Sequence, residues 1–295
     1  MNTQKINETE TGTDASGSGD DERVSFREYG AYYRRVASYY DEDARDFEQR
    51  YEENAVLRKI RNDFRRITTE YPFKKALEIG CGPGLDVAWF ARNYPDREID
   101  AVDVSPEMIR LAHQKIREYE LENTRVAVGS VEDIDHLFPG ERYDMVYVFF
   151  GGLNTVFDLK KAAEYIRGIC ADEATLVLTF VNRFYLADVP LWLARGKVSR
   201  AFDRLLNRWE GYSAERTIPS RTYTQSDIRR AFSGQFRIIR RKGYCITYPA
   251  WYRSHLLSRL PENGEKLWKL DQAINNTPFW NTGEYTLYVM KPIQK

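Results

Sequence analysis

Apolar and polar positions follow two different periods along this chain, and the change of period divides it. Between about Ser25 and Tyr71 large apolar residues recur three or four apart among many charges: Tyr29, Tyr32, Tyr33, Val36 and Tyr40, then Phe47, Tyr51, Leu57, Ile60 and Phe64. That spacing predicts amphipathic helices ahead of the first strand. After Pro72 the pattern becomes short β-rich runs, ALEIG, EIDAVDV, TRVAVG, YDMVYVFF and TLVLTFV, separated by helical stretches of about a dozen residues. Such alternation predicts a parallel sheet covered on both faces, joined by right-handed crossovers. The helices carry their own boundary signals. Leu85 to Asn93 stops before Pro95, Pro106 suits the first turn after Ser105, and Leu159 to Cys170 keeps its apolar residues on one side.

Downstream of Val181 the alternation breaks for about 40 residues before a helix signal returns at TQSDIRRAF. A strand QFRIIRRKGY, a second irregular stretch and a last strand GEYTLYVMK follow. Two insertions near the end of the sheet suggest a cap on the substrate side. The expected organisation is a tail at 1–22, a helical segment at 23–72, an α/β core at 73–181 and a cap insertion at 182–222. The rest of the core occupies 223–295, with a second insertion at about 246–282. The tail is polar and rich in Gly, Ser and Thr, too poor in apolar surface to offset its ordering entropy, so disorder is expected there.

Composition narrows the function classes. In 295 residues, 44 Lys plus Arg match 44 Asp plus Glu, which argues against nucleic-acid binding by bulk charge. Locally the balance is uneven. From Val181 to Leu260 there are 14 Arg and 2 Lys against 5 acids, whereas residues 1–50 carry 12 acids against 7 bases. Either these two regions pair, or the cap offers its charge to an anionic membrane or to a phosphate-bearing or carboxylated ligand. Arg200, Arg204 and Arg208, four apart, would share a helix face beside Arg195 and Lys197. A hydrophobic fraction of 42% supports a sizeable core, and an aromatic fraction of 14% supplies rings for a pocket. The chain has no run of about 18 apolar residues and no apolar leader after Met1, so a cytoplasmic location is expected. Cys81, Cys170 and Cys245 are too dispersed for a disulfide framework or a zinc site, so free thiols and no metal are expected.

The chemistry concentrates at Leu77-Glu78-Ile79-Gly80-Cys81-Gly82-Pro83-Gly84, where a strand ends in an acid and runs into alternate glycines. Glycines let a backbone turn tightly and let a ligand approach closely; alone they also fit a purely structural left-handed turn. Asp103 ends the second strand about 20 residues further on, where a carboxylate can accept from both hydroxyls of a ribose. An adenosine ligand follows. A pyrophosphate would want G-x-G-x-x-G, whereas the spacing here is G-x-G-x-G, and Glu78 would repel it while suiting an ammonium and a sulfonium. No Gly-Lys-Ser/Thr follows the loop, so the Walker pattern is absent. S-adenosylmethionine fits these residues, with an NAD(P)-dependent oxidoreductase as an alternative.

Through these residues the chain resembles the class I S-adenosylmethionine-dependent methyltransferases over about Ala76 to Val181. The resemblance implies a doubly wound, Rossmann-like sheet of seven strands, the last antiparallel, with N-terminal helices and cap insertions around it. It implies that Glu78, Gly80, Cys81, Gly82 and Gly84 pack on the methionyl part of the cofactor, that Asp103 holds the ribose, and that Val104 and Met108 flank ribose and adenine. The family's G-D-A-E-D-L motif corresponds to Gly129-Ser130-Val131-Glu132-Asp133-Ile134. Ser130 stands where Asp is usual and can accept from the adenine amino group as a neutral partner. The F-D-x-V segment matches Tyr143 to Val146, and the strand end at Phe149, Phe150 and Asn154 would face the transferred methyl. Tyr39-Tyr40-Asp41 with Ala44 to Phe47 is similar to the Y-D-x-x-A lid of small-molecule members, including quinone methyltransferases. Plain packing of an amphipathic helix competes with that reading.

Transfer from a sulfonium asks mainly for alignment and exclusion of water, and orientation can supply roughly 7 to 11 kcal/mol. A base is needed only for an acceptor that keeps its proton. His255, Tyr223, Tyr248 and Tyr40 lie in segments that could face the methyl, and Arg183 could hold an anionic acceptor. His255 fits equally well as a packing or surface histidine, and His113 and His136 receive no role. Aromatic abundance in the cap favours a planar or lipid-like small molecule as acceptor over a protein or a nucleic acid. A non-catalytic S-adenosylmethionine-binding interaction protein is the alternative of a different class.

Overall fold

The computed structural model describes residues 26, 28–206, 211, 217–259 and 261–294. Its strands are β1 (Lys75–Ile79), β2 (Glu98–Asp103), β3 (Thr124–Val128), β4 (Tyr143–Val148), β5 (Cys170–Val181), β6 (Phe236–Tyr244) and β7 (Tyr285–Pro292). The helices ahead of and between the first five strands are α1 (Gly30–Glu53), α2 (Ala55–Thr69), α3 (Leu85–Asn93), α4 (Pro106–Glu118), α5 (Ile134–Leu137) and α6 (Leu159–Ile169). Beyond β5 come α7 (Asp188–Ala194), α8 (Val198–Phe202), α9 (Gln225–Phe232), α10 (His255–Arg259) and α11 (Pro261–Ile274). The strands form one sheet in the order β3-β2-β1-β4-β5-β7-β6. The first five pair in parallel, and β7 runs antiparallel between β5 and β6, with Leu178 opposite Tyr288 and Lys242 opposite Leu287. This is the doubly wound, Rossmann-like sheet with an antiparallel last strand that the sequence resemblance implied.

A parallel strand covered on both faces needs apolar residues on both, and β1 shows the consequence. Ala76 packs into a cluster with Ile60 and Phe64 of α2 and Phe90 of α3, whereas Leu77 turns to the opposite cluster with Ile166 of α6 and Ile228 of α9. By the same alternation Glu78 returns to the α2 and α3 face. Helix starts use the expected caps: the Ser105 Oγ accepts from Met108 N–H at 3.0 Å ahead of Pro106, and Asp158 accepts from Lys160 and Lys161 N–H groups. Asn54 ends α1 and caps α2 by accepting from Val56 and Leu57.

The stretch at about 246–282, expected to be irregular, carries α10 and α11. Its α11 escaped the sequence reading because Gly264 interrupts a weakly periodic stretch. The fully buried Asp271 of α11 accepts the N–H groups of Ile246, Thr247 and Tyr248 at 3.0, 2.6 and 2.9 Å, which fastens the chain after β6. Nor do the bases of 181–260 pair with residues 1–50 among the described residues. Lys242 pairs with Asp63, Arg240 with Glu70, Arg253 with Asp188, Arg183 with Asp227 and Arg204 with Glu284. α8 ends at Phe202 and Arg204 is buried, so Arg200 and Arg204 do not share a solvent face; Arg208 lies outside the described residues, as does the tail at 1–22. The three cysteines are buried and free, and no described helix is long and apolar enough to cross a membrane.

Candidate functional site

β1 and β4 lie side by side where the strand order reverses, so the loops at their C-terminal ends open a crevice. It holds a cavity of about 370 Å³. In the turn after β1, Gly80, Gly82 and Gly84 have φ of +74°, +54° and +76°, which explains why every second residue there is glycine. The Gly80 and Cys81 N–H groups donate to the Val102 carbonyl at 2.8 and 3.1 Å, and Gly82 N–H donates to Asp103 Oδ2 at 2.8 Å. Asp103 Oδ1 accepts from Ser105 N–H at 2.9 Å. One carboxylate thus ties the glycine loop to the start of α4 and keeps lone pairs on both oxygens. Its burial pushes the Asp103 carboxyl up to about 6.

Glu78, placed by strand alternation against α2 and α3, meets a polar cluster from those helices. It is 2% exposed, lines the cavity, and its Oε2 has no hydrogen-bond partner among the described residues. Burial first, and the negative Asp86 next, push its carboxyl well above the ordinary range. Asp86 is shared by Arg61 at 3.0 Å and Arg65 at 2.6 Å. The Arg61 guanidinium also lies 4.8 Å from the Tyr51 ring and 4.9 Å from the Phe150 ring, and it lines the cavity.

α1 closes one side. Tyr33, Tyr40, Phe47 and Tyr51, spaced seven, seven and four apart, form one helical stripe along the cavity. Asp41 accepts from Ser105 Oγ and Glu107 N–H, and Glu48 pairs with Lys115, so α1 is docked on α4. A Cβ on Gly82 would stand 3.6 Å from the Phe47 ring. Phe150 takes a left-handed φ of 52°, and it shares the lining with Ile218, Ser220, Trp251 and Tyr285. Burial raises the hydroxyls of Tyr40 and Tyr51, the latter to about 12, so both keep their protons and act as donors near neutrality. Burial and then the charge of Asp103 likewise hold the Cys81 thiol neutral, which removes it as a nucleophile.

Residues 76–172 match a family model described as a methyltransferase domain. The core of this chain is thus a methyltransferase domain on a Rossmann-like sheet. Over 74 residues it is 34% identical to a tRNA (guanine-N(7)-)-methyltransferase of Clostridium acetobutylicum, a stretch covering 25% of this chain and 35% of that protein. Over 71 residues it is 31% identical to malonyl-[acyl-carrier protein] O-methyltransferase 1 of Ilyobacter polytropus, covering 24% and 25%. These alignments span about a third or less of the relatives' length. The fold as a whole is similar to the crystal structure of the plantazolicin methyltransferase BamL in complex with a triazolic desmethylPZN analog and SAH, with TM-score 0.53 and 13% identity over 90% of this chain and 97% of that one. The Glu78 Oε2, without a hydrogen-bond partner among the described residues, and the loop-anchored Asp103 give the cavity two buried carboxylate acceptors, a chemistry that fits an ammonium and ribose hydroxyls.

In this methyltransferase domain, Tyr40, Glu78, Gly80, Cys81, Gly82, Asp103, Val104, Met108, Ser130, Val131 and Phe149 line the cavity. Gly84 and Glu132, expected at the cofactor, do not. Gly84 is the N-cap of α3 and faces Ala112, while Glu132 Oε1 accepts from the Tyr33 hydroxyl at 2.8 Å. Phe150 and Asn154 line the cavity, but the Asn154 amide is consumed: it donates to Val181 and Arg221 carbonyls and accepts from Val181 N–H, clasping β5 to the first insertion. Arg183, Tyr223, Tyr248 and His255 lie outside the lining. Arg183 donates to the Thr222 carbonyl and pairs with Asp227, Tyr223 sits edge-on to Phe180, Tyr248 packs on Trp268, and His255 begins α10. The sequence reading missed Arg61, Asp86, Tyr51, Trp251 and Tyr285. Arg61 left a signal, a charge beside Leu57, Ile60 and Phe64 on the apolar face of α2. Tyr51 continues the α1 stripe from Phe47. Trp251 and Tyr285 arrive from distant segments and left none.

Proposed function

We propose that this chain is an enzyme that transfers the methyl group of S-adenosylmethionine directly to a small acceptor of planar aromatic or lipid-like character. The observation that carries the reading is that one cavity joins the carboxylates of Glu78 and Asp103 to a wall of Tyr40, Phe47, Tyr51, Phe150, Trp251 and Tyr285. In it, Glu78 takes the cofactor's ammonium, Asp103 the ribose hydroxyls, Arg61 the carboxylate, and Ser130 the adenine amino group. When bound, the cofactor supplies an electrophilic methyl on a sulfonium, so no acid is needed for the leaving group. The chain's own work is to orient the acceptor and keep water out. α1 covers one side, Trp251 and Ile218 the other, and the Tyr40 and Tyr51 hydroxyls donate hydrogen bonds to the acceptor.

The cavity falls within the roughly 300 to 1,000 Å³ usual for small-molecule sites. Its two cations are committed, Arg50 to Asp43 and Arg61 to Asp86 and the cofactor's carboxylate, which favours a neutral acceptor over a phosphate or carboxylate. Release of S-adenosylhomocysteine by the purified chain, assayed with phenols, quinols, acyl thioesters and tRNA, tests this. Turnover with a hydrophobic small molecule is expected. Turnover with tRNA alone would overturn the acceptor assignment, and absence of S-adenosylmethionine binding by calorimetry would overturn the reading entirely.

A further inference from the structure

The first insertion presents a surface that the cavity does not use. α7 has no buried residue, and Leu193, Val198, Phe202 and Leu206 are between 38% and 58% exposed. Three cations gather over the ring of Trp192: Arg195 at 5.4 Å, Lys197 at 5.6 Å and Arg200 at 5.5 Å. None of the three is in an ion pair among the described residues. The described acids of the segment are occupied elsewhere, Asp188 by Arg253 and the Tyr252 hydroxyl, and Asp203 by the Ser199 hydroxyl. Arg204 and Lys242 are buried, whereas Arg195, Lys197 and Arg200 are exposed beside Leu193, Val198 and Phe202.

We propose that this surface docks the protein on an anionic lipid bilayer. Exposed leucine, valine and phenylalanine gain from an apolar phase, cations beside them gain from anionic headgroups, and an amphipathic tryptophan settles at the boundary between the two. A nucleic acid would satisfy the cations but offers Leu193 and Val198 no apolar phase. A second copy docking through the same patch would set the three cations of one chain against those of the other. The surface is also joined to the cavity wall: Asp188 at the start of α7 grips Tyr252 and Arg253, the neighbours of cavity-lining Trp251. Docking does not depend on the acceptor, and it stands or falls separately from methyl transfer.

Sedimentation of the full chain with phosphatidylcholine vesicles, with and without phosphatidylserine, tests the proposal. Three surface cations predict a preference of roughly a hundredfold for the anionic vesicles at low salt, lost at high salt. Combined Arg195→Glu, Lys197→Glu and Arg200→Glu should abolish that preference. Combined Leu193→Ser and Val198→Ser should weaken binding about tenfold at low salt, because it removes insertion without removing charge. None of these residues lines the cavity, so every variant should keep the rise in Tm that S-adenosylmethionine produces, which separates lost docking from lost folding. Equal partition of wild type into both vesicles, or a charge-reversed variant that binds like wild type, overturns the proposal. So does a concentration-dependent dimer that Leu193→Ser dissolves, or salt-sensitive binding to an RNA duplex without binding to vesicles.

Discussion

The two walls of the cavity are built on opposite plans. Glu78, Gly80, Cys81 and Gly82 come from a single turn and Asp103 from the next strand, so the cofactor wall is nearly continuous in sequence. The acceptor wall is collected from five places: Tyr51 of α1, Phe150 after β4, Ile218 of the first insertion, Trp251 of the second and Tyr285 of β7. A cofactor of fixed chemistry demands fixed groups at fixed spacing, whereas an acceptor asks for shape and apolar surface, which an aromatic ring can supply from any segment.

The difference is broken most directly at Asp103. Asp103→Ala removes the carboxylate proposed to hold the ribose and also the partner of the Gly82 and Ser105 N–H groups, so the loop should loosen as binding is lost. Charge-assisted hydrogen bonds of about 1.5 to 3 kcal/mol each predict a fall in S-adenosylmethionine affinity of roughly ten- to a thousandfold. Calorimetry showing unchanged affinity would remove Asp103 from the cofactor wall. On the opposite wall, Trp251→Ala should raise the KM of the acceptor about tenfold or more while leaving the cofactor's Kd within about twofold, because the two walls share no side chain there. Equal losses in both constants would show that the walls are not separable.

Legibility in the sequence follows the same division. The strand runs and the glycine loop predicted the sheet, because short apolar β-rich runs and left-handed turns leave marks within a few residues. Glu78 was readable as an acid before the loop, but its face was not; that required knowing which helices cover β1. Arg61 and Asp86 form a pair 25 positions apart, visible once α2 and α3 pack on one side of the sheet. Arg183 illustrates the reverse failure. A base following β5 suggested an anion site, yet its guanidinium is spent holding the Thr222 carbonyl and Asp227.

A third test uses protons. Burial raises the ligand-free Asp103 carboxyl to about 6, and only its ionised form accepts from both ribose hydroxyls without a competing proton. The neutral form is thus favoured without ligand only below about pH 6, and ligand favours the charged form. Affinity for S-adenosylmethionine should be flat above about pH 7 and fall up to about tenfold per unit below about 6. Glu78, also raised by burial, acts in the same direction if its carboxylate takes the ammonium, so protons should be released on binding below about pH 6. Titration calorimetry in buffers of different ionisation enthalpy counts those protons, and a pH-independent affinity would mean that neither carboxylate meets the ligand charged.

The smallest effect concerns the departure at Ser130. Its hydroxyl donates to Asp133 Oδ2 at 2.6 Å and its N–H donates to the same oxygen at 2.9 Å. Restoring the family's aspartate with Ser130→Asp offers the adenine amino group a charged acceptor, but it replaces that hydroxyl donor by a second carboxylate against Asp133. Like charges at such separation favour sharing one proton, and the neighbouring Glu132, buried and bonded to Tyr33, adds to the repulsion. A gain of about 1 kcal/mol stands against losses of about 1 kcal/mol for the hydroxyl bond and about 0.6 kcal/mol for the repulsion, so a net weakening of cofactor binding of about threefold is expected above neutrality. It should shrink as the pH falls and the pair takes up its shared proton, a trend opposite in sign to that of Asp103. Tighter binding than wild type at every pH would show that the Ser130 hydroxyl has no part in holding this loop.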